Sequence, residues 1–229
     1  GVLLAENFAL PPGVSGAVLH GIELISGGLL IAGLFTPLAS GLLLALFTFT
    51  FFYFPASEPI DYLYFVGIAY VLFFFARGRY SLDWFLGKPM YSTNVERKRA
   101  FIMLRVMTGV ALVVLALGKW LQPELHLALL DRFPAWNPYV LLQRLHLAPA
   151  REAYVFILGG IELLTAVFLT TGIFARYTAL FLIPVFAASI FFIGPTELIG
   201  HLPIIGALFA VFVYGDLYEK TTQEQEAPS

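Results

Sequence analysis

The chain has 229 residues, 59% hydrophobic and 12% charged, where soluble domains carry about a quarter of their residues charged. A net charge of −2 carries no message about nucleic acid, and without a basic patch interleaved with exposed aromatics no nucleic-acid partner is expected. The absence of cysteine excludes disulfides, thiolate metal sites, iron–sulfur clusters and dithiol relays within the chain.

In chain order, apolar runs predict seven transmembrane helices, over 17–35, 38–54, 62–76, 100–118, 153–174, 177–193 and 201–215. Their lengths suit a hydrocarbon core of about 30 Å, the shorter ones with tilt or local thinning of the bilayer. The aromatic run FTFTFFYF (47–54) closes the second. It reads as lipid contact, or as a quinone slot if Glu58 or Tyr62 converges on it. The basic segment 77–99 follows the third. The longer segment 119–152 holds the amphipathic stretches LHLALLDRF (125–133) and PYVLLQRLHL (138–147), with Trp136 between them. These predict an interfacial cap that either stabilises the bundle or covers a lipid-soluble ligand. The tail TTQEQEAPS carries no apolar pattern. Arg77, Arg79, Lys88, Arg97, Lys98, Arg99, Arg176 and Lys220 fall on one side, against Lys119, Arg132, Arg144 and Arg151 on the other. The excess places 77–99 and the C-terminus in the cytoplasm.

The runs repeat. At a gapless offset of 139, Gly21-Ile22-Glu23-Leu24 meets Gly160-Ile161-Glu162-Leu163. Gly33 and Phe35 then meet Gly172 and Phe174, Glu58 meets Glu197, and Gly67 meets Gly206. Shared glycines and glutamates without an insertion predict a duplicated unit. The predicted fold is all-α, a polytopic integral membrane protein of two parallel four-helix repeats. Residues 1–89 form the first unit, 90–99 a basic cytoplasmic linker, 100–220 the second unit and 221–229 a disordered tail. The first unit lacks a counterpart of 100–118, so an upstream helix with an arginine placed like Arg105 is expected in a longer gene product.

RGRYSLDWFLGKP (77–89), LRVMTGVALVVLALGKWLQP (104–123), GIELLTAVFLTTGIFARYTAL (160–180) and ELIGHLP (197–203) together resemble the DoxX family of small four-helix bacterial membrane proteins. Gly78, Arg79, Tyr80, Ser81, Leu82 and Asp83 match its closing motif; the second unit, ending YGDLYEK, lacks it. The resemblance implies a bacterial inner-membrane subunit of a redox complex such as thiosulfate:quinone oxidoreductase, with quinone as the ligand and oxidoreductase subunits as partners. It implies no reaction of the chain's own. A small-solute or proton carrier and a purely structural scaffold are the alternatives.

An ionisable side chain inside a bilayer costs about 2.5–3.5 kcal/mol and marks a candidate site. Glu162 lies roughly 14 Å into its helix and Arg105 roughly 9 Å in from the other side, at 1.5 Å per residue. The pair is therefore predicted to close across two helices, as a structural ion pair or as a proton-relay or ligand site. Arg105 heads a stripe of Thr108, Gly109, Leu112, Ala116 and Lys119, which predicts a face turned to other helices. Glu23, the repeat twin of Glu162, is expected to stand unpaired. His20 lies three residues before Glu23 and His201 four after Glu197. Hydrogen bonding to Glu or water outweighs bis-histidine haem ligation for both. His126 and His146 lack a third close ligand, so no metal site is predicted. Trp84 and Phe85 beside basic residues predict a headgroup anchor or a docking site for a soluble partner.

Overall fold

A computed structural model describes residues 16–55, 57–75, 81–86, 93–132, 138–193 and 200–214. These form helices and turns, with no strand among the described residues. The helices are α1 (Gly16–Ala32), α2 (Thr36–Tyr53), α3 (Ser57–Ile60), α4 (Tyr64–Phe75), α5 (Leu82–Phe85) and α6 (Asn94–Leu121). There follow α7 (Pro123–Arg132), α8 (Pro138–Arg144), α9 (Arg151–Thr171), α10 (Ala175–Ile193) and α11 (Gly200–Tyr214).

Two of these are long and apolar enough to cross a membrane, over Val95–Leu121 and Arg151–Thr171. The others with apolar sequences are shorter. The 12 residues of α4 rise only about 18 Å at 1.5 Å each.

The chain divides into two compact units, 1–107 with 214–229, and 108–213. The division falls inside α6. The segment predicted as a basic linker over 90–99 is, from Asn94 onward, the first turns of that helix. A capping box starts it: the Thr93 backbone N–H donates to Glu96 at 2.7 Å and Glu96 N–H donates to the Thr93 hydroxyl at 3.2 Å. Two of the orphan donors of the first turn are thereby satisfied.

In the first unit α1 ends in a left-handed turn. Gly33 has φ +61 and the Leu34 N–H returns to the Leu29 carbonyl at 2.9 Å, a reversal that glycine permits without strain. Phe35 then precedes α2 at φ 48, where a residue with a β-carbon pays about 1–2 kcal/mol. Phenylalanine has no side-chain acceptor for the first amides of α2, and the cap comes instead from 47 residues onward. Asp83, fully buried, accepts the Thr36 N–H at 3.1 Å. Its own N–H donates to the Gly33 carbonyl at 3.0 Å, and a β-carbon on Gly33 would meet Ser81 at 2.6 Å. Ser81 in turn caps α5 through the Trp84 N–H at 3.2 Å. Three members of the SLD half of the family-like motif thus form a clip that closes the α1–α2 turn. Gly78, Arg79 and Tyr80 lie outside the described residues. The core of this unit joins Ala39, Phe47, Tyr64, Ala69, Ala100, Phe101 and Leu104, and α4 meets α6 closely where a β-carbon on Gly67 would touch Leu104. Phe47 of the aromatic run turns inward onto Phe65 at 6.3 Å, whereas Phe52 is 80% exposed.

The second unit repeats the turn. Gly172 has φ 88 and Phe174 φ 55, at positions offset by 139 from Gly33 and Phe35. Its interior is a seam between the second half of α6 and α9. Gly109 and Ala116 lie seven apart on one helix, Gly159 and Ala166 seven apart on the other, the spacing that keeps small residues on one line of contact. A β-carbon on Gly109 would strike Thr170, and one on Gly159 would meet Trp120 at 2.5 Å. Thr108, Leu112, Ala116, Thr165, Ala166 and Leu169 are buried along this line. The small-residue stripe inferred from the sequence does face helices. Buried hydroxyls are satisfied locally, Thr165 to the Glu162 carbonyl and Thr170 to the Ala166 carbonyl, both at 2.8 Å, because an apolar surrounding offers them nothing else.

Candidate functional site

The seam fixes the site. With Gly109 against Ala166 and Ala116 against Gly159, the helices run antiparallel; Lys119, one turn beyond Ala116, comes level with the residues around Phe156 and Ile157, and its long side chain reaches back along α9 to Glu162. The ammonium Nζ donates to Glu162 Oε2 at 2.6 Å. The Lys119 side chain is 14% exposed and that of Glu162 31%, so both charges are largely withdrawn from solvent and each depends on the other. The next residue locks the register: Trp120 Nε1–H donates to the Phe156 carbonyl at 3.1 Å.

The expected partner, Arg105, is replaced. Arg105 lies fourteen residues before Lys119 on the same helix, about 21 Å along its axis. The depth count assumed helices that just fill a core of about 30 Å, whereas the seam overlaps α6 and α9 so that Glu162 lies level with residues about nine positions beyond Arg105 on α6, roughly 13 Å. The first turn of α9 is sheathed by the cap, where Tyr154 is buried with its ring 5.1 Å from that of Tyr139, and Tyr139 donates its hydroxyl to the Pro149 carbonyl at 2.9 Å.

The cap adds a third titratable group. His126 on α7 is partly buried. Burial, and next the Lys119 ammonium, push its imidazole below its usual range, while the Gln122 carbonyl and the Glu162 carboxylate pull the other way. Its neutral form is favoured. A neutral imidazole beside a carboxylate–ammonium pair accepts or passes a proton without adding charge to the seam. Sequence reasoning weighed His126 only as a metal ligand and so missed it. Arg151 at the head of α9 pairs with Asp131 at the end of α7, which ties the cap helix to the helix that carries Glu162.

The remaining candidates are found as follows. Glu23 is half-buried and already engaged by other groups, so the expectation of a solitary carboxylate is corrected. His201 sits in α11 with its ring 5.4 Å from that of Phe186. Glu197, Trp136 and Lys88 lie outside the described residues, as do the side chains of His20 and Glu58. Asp83 is the buried acid that holds the α1–α2 turn. Compared with protein-family models, curated proteins and solved structures, the chain matches none.

Proposed function

We propose that the chain is a polytopic subunit of the bacterial inner membrane, built on two parallel repeats of a four-helix unit. It is DoxX-like and serves a quinone-linked redox complex. The resemblance in motif order and spacing suggests the family. The two apolar helices of spanning length and the recurrence of the Gly–x–Phe turn at an offset of 139 are consistent with duplication in a membrane.

Within that reading, the Lys119–Glu162 pair, with neutral His126 on the cap above it, is the proton-handling element. The observation that carries it is the 2.6 Å contact of two largely buried, opposite charges beside a histidine poised to remain neutral. A quinol oxidised at the membrane edge releases protons that need an acceptor, and a carboxylate relieved of its ammonium is one. His126 would relay the proton through the cap, and electrons would pass to a partner oxidoreductase subunit. The test is extraction of bound quinone from the purified protein, compared with Glu162→Gln. Quinone that co-purifies with the native chain and is lost in the variant supports the reading. Equal, negligible quinone in both overturns it.

A purely structural scaffold is favoured by one specific feature, the tightness of the same ion pair. In that case Lys119→Met with Glu162→Gln would keep both assembly and any partner binding.

A further inference from the structure

We infer that Phe35 and Phe174 are membrane-interface anchors, each holding an aromatic ring in the headgroup layer of an anionic lipid leaflet. The inference rests on the membrane reading above. Both residues sit at positive φ, 48 and 55, where the β-carbon of a bulky residue is crowded and glycine or asparagine is the usual occupant. Burial within the protein does not repay this strain, because Phe35 is 48% exposed and Phe174 63%. The Phe174 ring also meets those of Phe168 at 6.1 Å and Tyr177 at 6.4 Å, so each turn presents an aromatic surface that is partly turned outward, a surface suited to lipid.

Two further observations select the lipid interface as what that surface meets. The neighbours are of the interfacial type: Leu38, Trp84 and Phe85 around the first turn are 61%, 52% and 70% exposed, and Tyr177 beside the second is 70% exposed. Aromatic rings with a polar edge concentrate at headgroup depth. Charge is also complementary. Exposed Arg176 adjoins Phe174, its guanidinium 5.1 Å from the Phe212 ring. Basic side chains at this depth are drawn to anionic headgroups. The clip from Asp83 to Thr36 makes the first anchor rigid. The same unfavoured conformation at two positions 139 apart argues for a shared use.

The cysteine-free chain permits the test directly. Single Phe35→Cys and Phe174→Cys variants are spin-labelled and reconstituted into vesicles of phosphatidylethanolamine and phosphatidylglycerol, with free spin label in the surrounding buffer as the water reference. Collision rates with oxygen and with a water-soluble nickel chelate report depth. The oxygen-to-nickel ratio is expected several-fold higher at 35 and 174 than for the free label; a ratio matching the reference overturns the inference, whether the face then meets water or a soluble protein. In a second arm, a label at Leu38→Cys is expected to move toward water when Phe35→Ser is added, and an unchanged depth removes the anchoring role. Alkaline carbonate separates the failures. Release of the chain from membranes sinks the membrane reading itself, whereas retention with water-facing labels sinks only the anchors.

Discussion

Asp83 and Glu162 are two acids withdrawn from water in a chain short of charge, and they are stabilised in different ways. Asp83 is fully buried and accepts from the backbone amide and the hydroxyl of Thr36 at the start of a helix, where an N–H donor and the helix dipole both favour a carboxylate. Glu162 is partly exposed and is held by a single flexible ammonium from a neighbouring helix. Backbone donors are fixed by the fold, so the first acid is an element of architecture. A lysine can swing away, so the second has an alternative state. That contrast separates a closing clip from a site able to exchange a proton or a ligand.

The clip gives the largest expected effect. Asp83→Ala leaves the Thr36 amide at the start of α2 without its acceptor and frees the segment that packs on Gly33. A loss of about 2–3 kcal/mol is expected from the buried charged hydrogen bond and the lost cap, read by denaturant titration in detergent micelles. Asp83→Asn keeps an acceptor and should cost less than half as much. If both variants lose the same amount, charge at the helix start is what matters, and the distinction drawn from Glu162 narrows.

The ion pair comes next. Lys119→Met strands the Glu162 carboxylate and is expected to cost about 1–2 kcal/mol, below the range for a fully buried pair because both groups keep some solvent. Lys119→Met with Glu162→Gln should recover part of this loss, a coupling that a double-mutant cycle measures. Arg105→Ala combined with Glu162→Gln should be additive within about 0.5 kcal/mol, as for separated sites. Strong coupling of Arg105 to Glu162 would restore the partner that the geometry replaces. The seam supports the pair, and Gly159→Leu, which would collide with Trp120 and the Ala116 carbonyl at 3.2 Å, should cost about 1–3 kcal/mol by overpacking and loosen the ion pair with it.

Much of this was legible in the sequence, for identifiable reasons. Glu162 stood out because a carboxylate within an apolar run has few explanations, and the stripe from Thr108 to Lys119 named the face that meets it. The partner was misjudged because depth was counted inward from two assumed membrane faces, whereas the overlap of α6 and α9 is set by the small-residue contacts of Gly109 and Gly159, which join residues far apart in the chain. Asp83 was recognised as part of a motif, but its role was hidden. A cap delivered from 47 residues away leaves no local mark except the oddity of a phenylalanine, instead of serine or aspartate, before Thr36 and Pro37. The turn glycines Gly33 and Gly172 were visible as repeat markers, whereas the left-handed conformation of the phenylalanines beyond them was not, because composition gives no hint of positive φ at an aromatic residue.

The smallest expected effect tests whether Glu162 belongs to a site that titrates. Burial and Lys119 lower the affinity of His126 for a proton in the folded chain, so the unfolded chain binds that proton more readily, with a pKa near 6.5. The sign follows from linkage: where the unfolded state holds more protons, stability rises with pH. The contribution of His126 is therefore fully present above about pH 6.5 and is lost as pH falls from there through the lower folded value. His126→Gln should flatten that part of the stability profile while leaving the region above pH 7 unchanged. Asp83→Asn should leave the His126 slope intact, since the clip belongs to the other unit. If the slope near pH 6 survives in His126→Gln and vanishes in Asp83→Asn, the proton is taken up at the clip, and the assignment of architecture to one acid and exchange to the other is reversed.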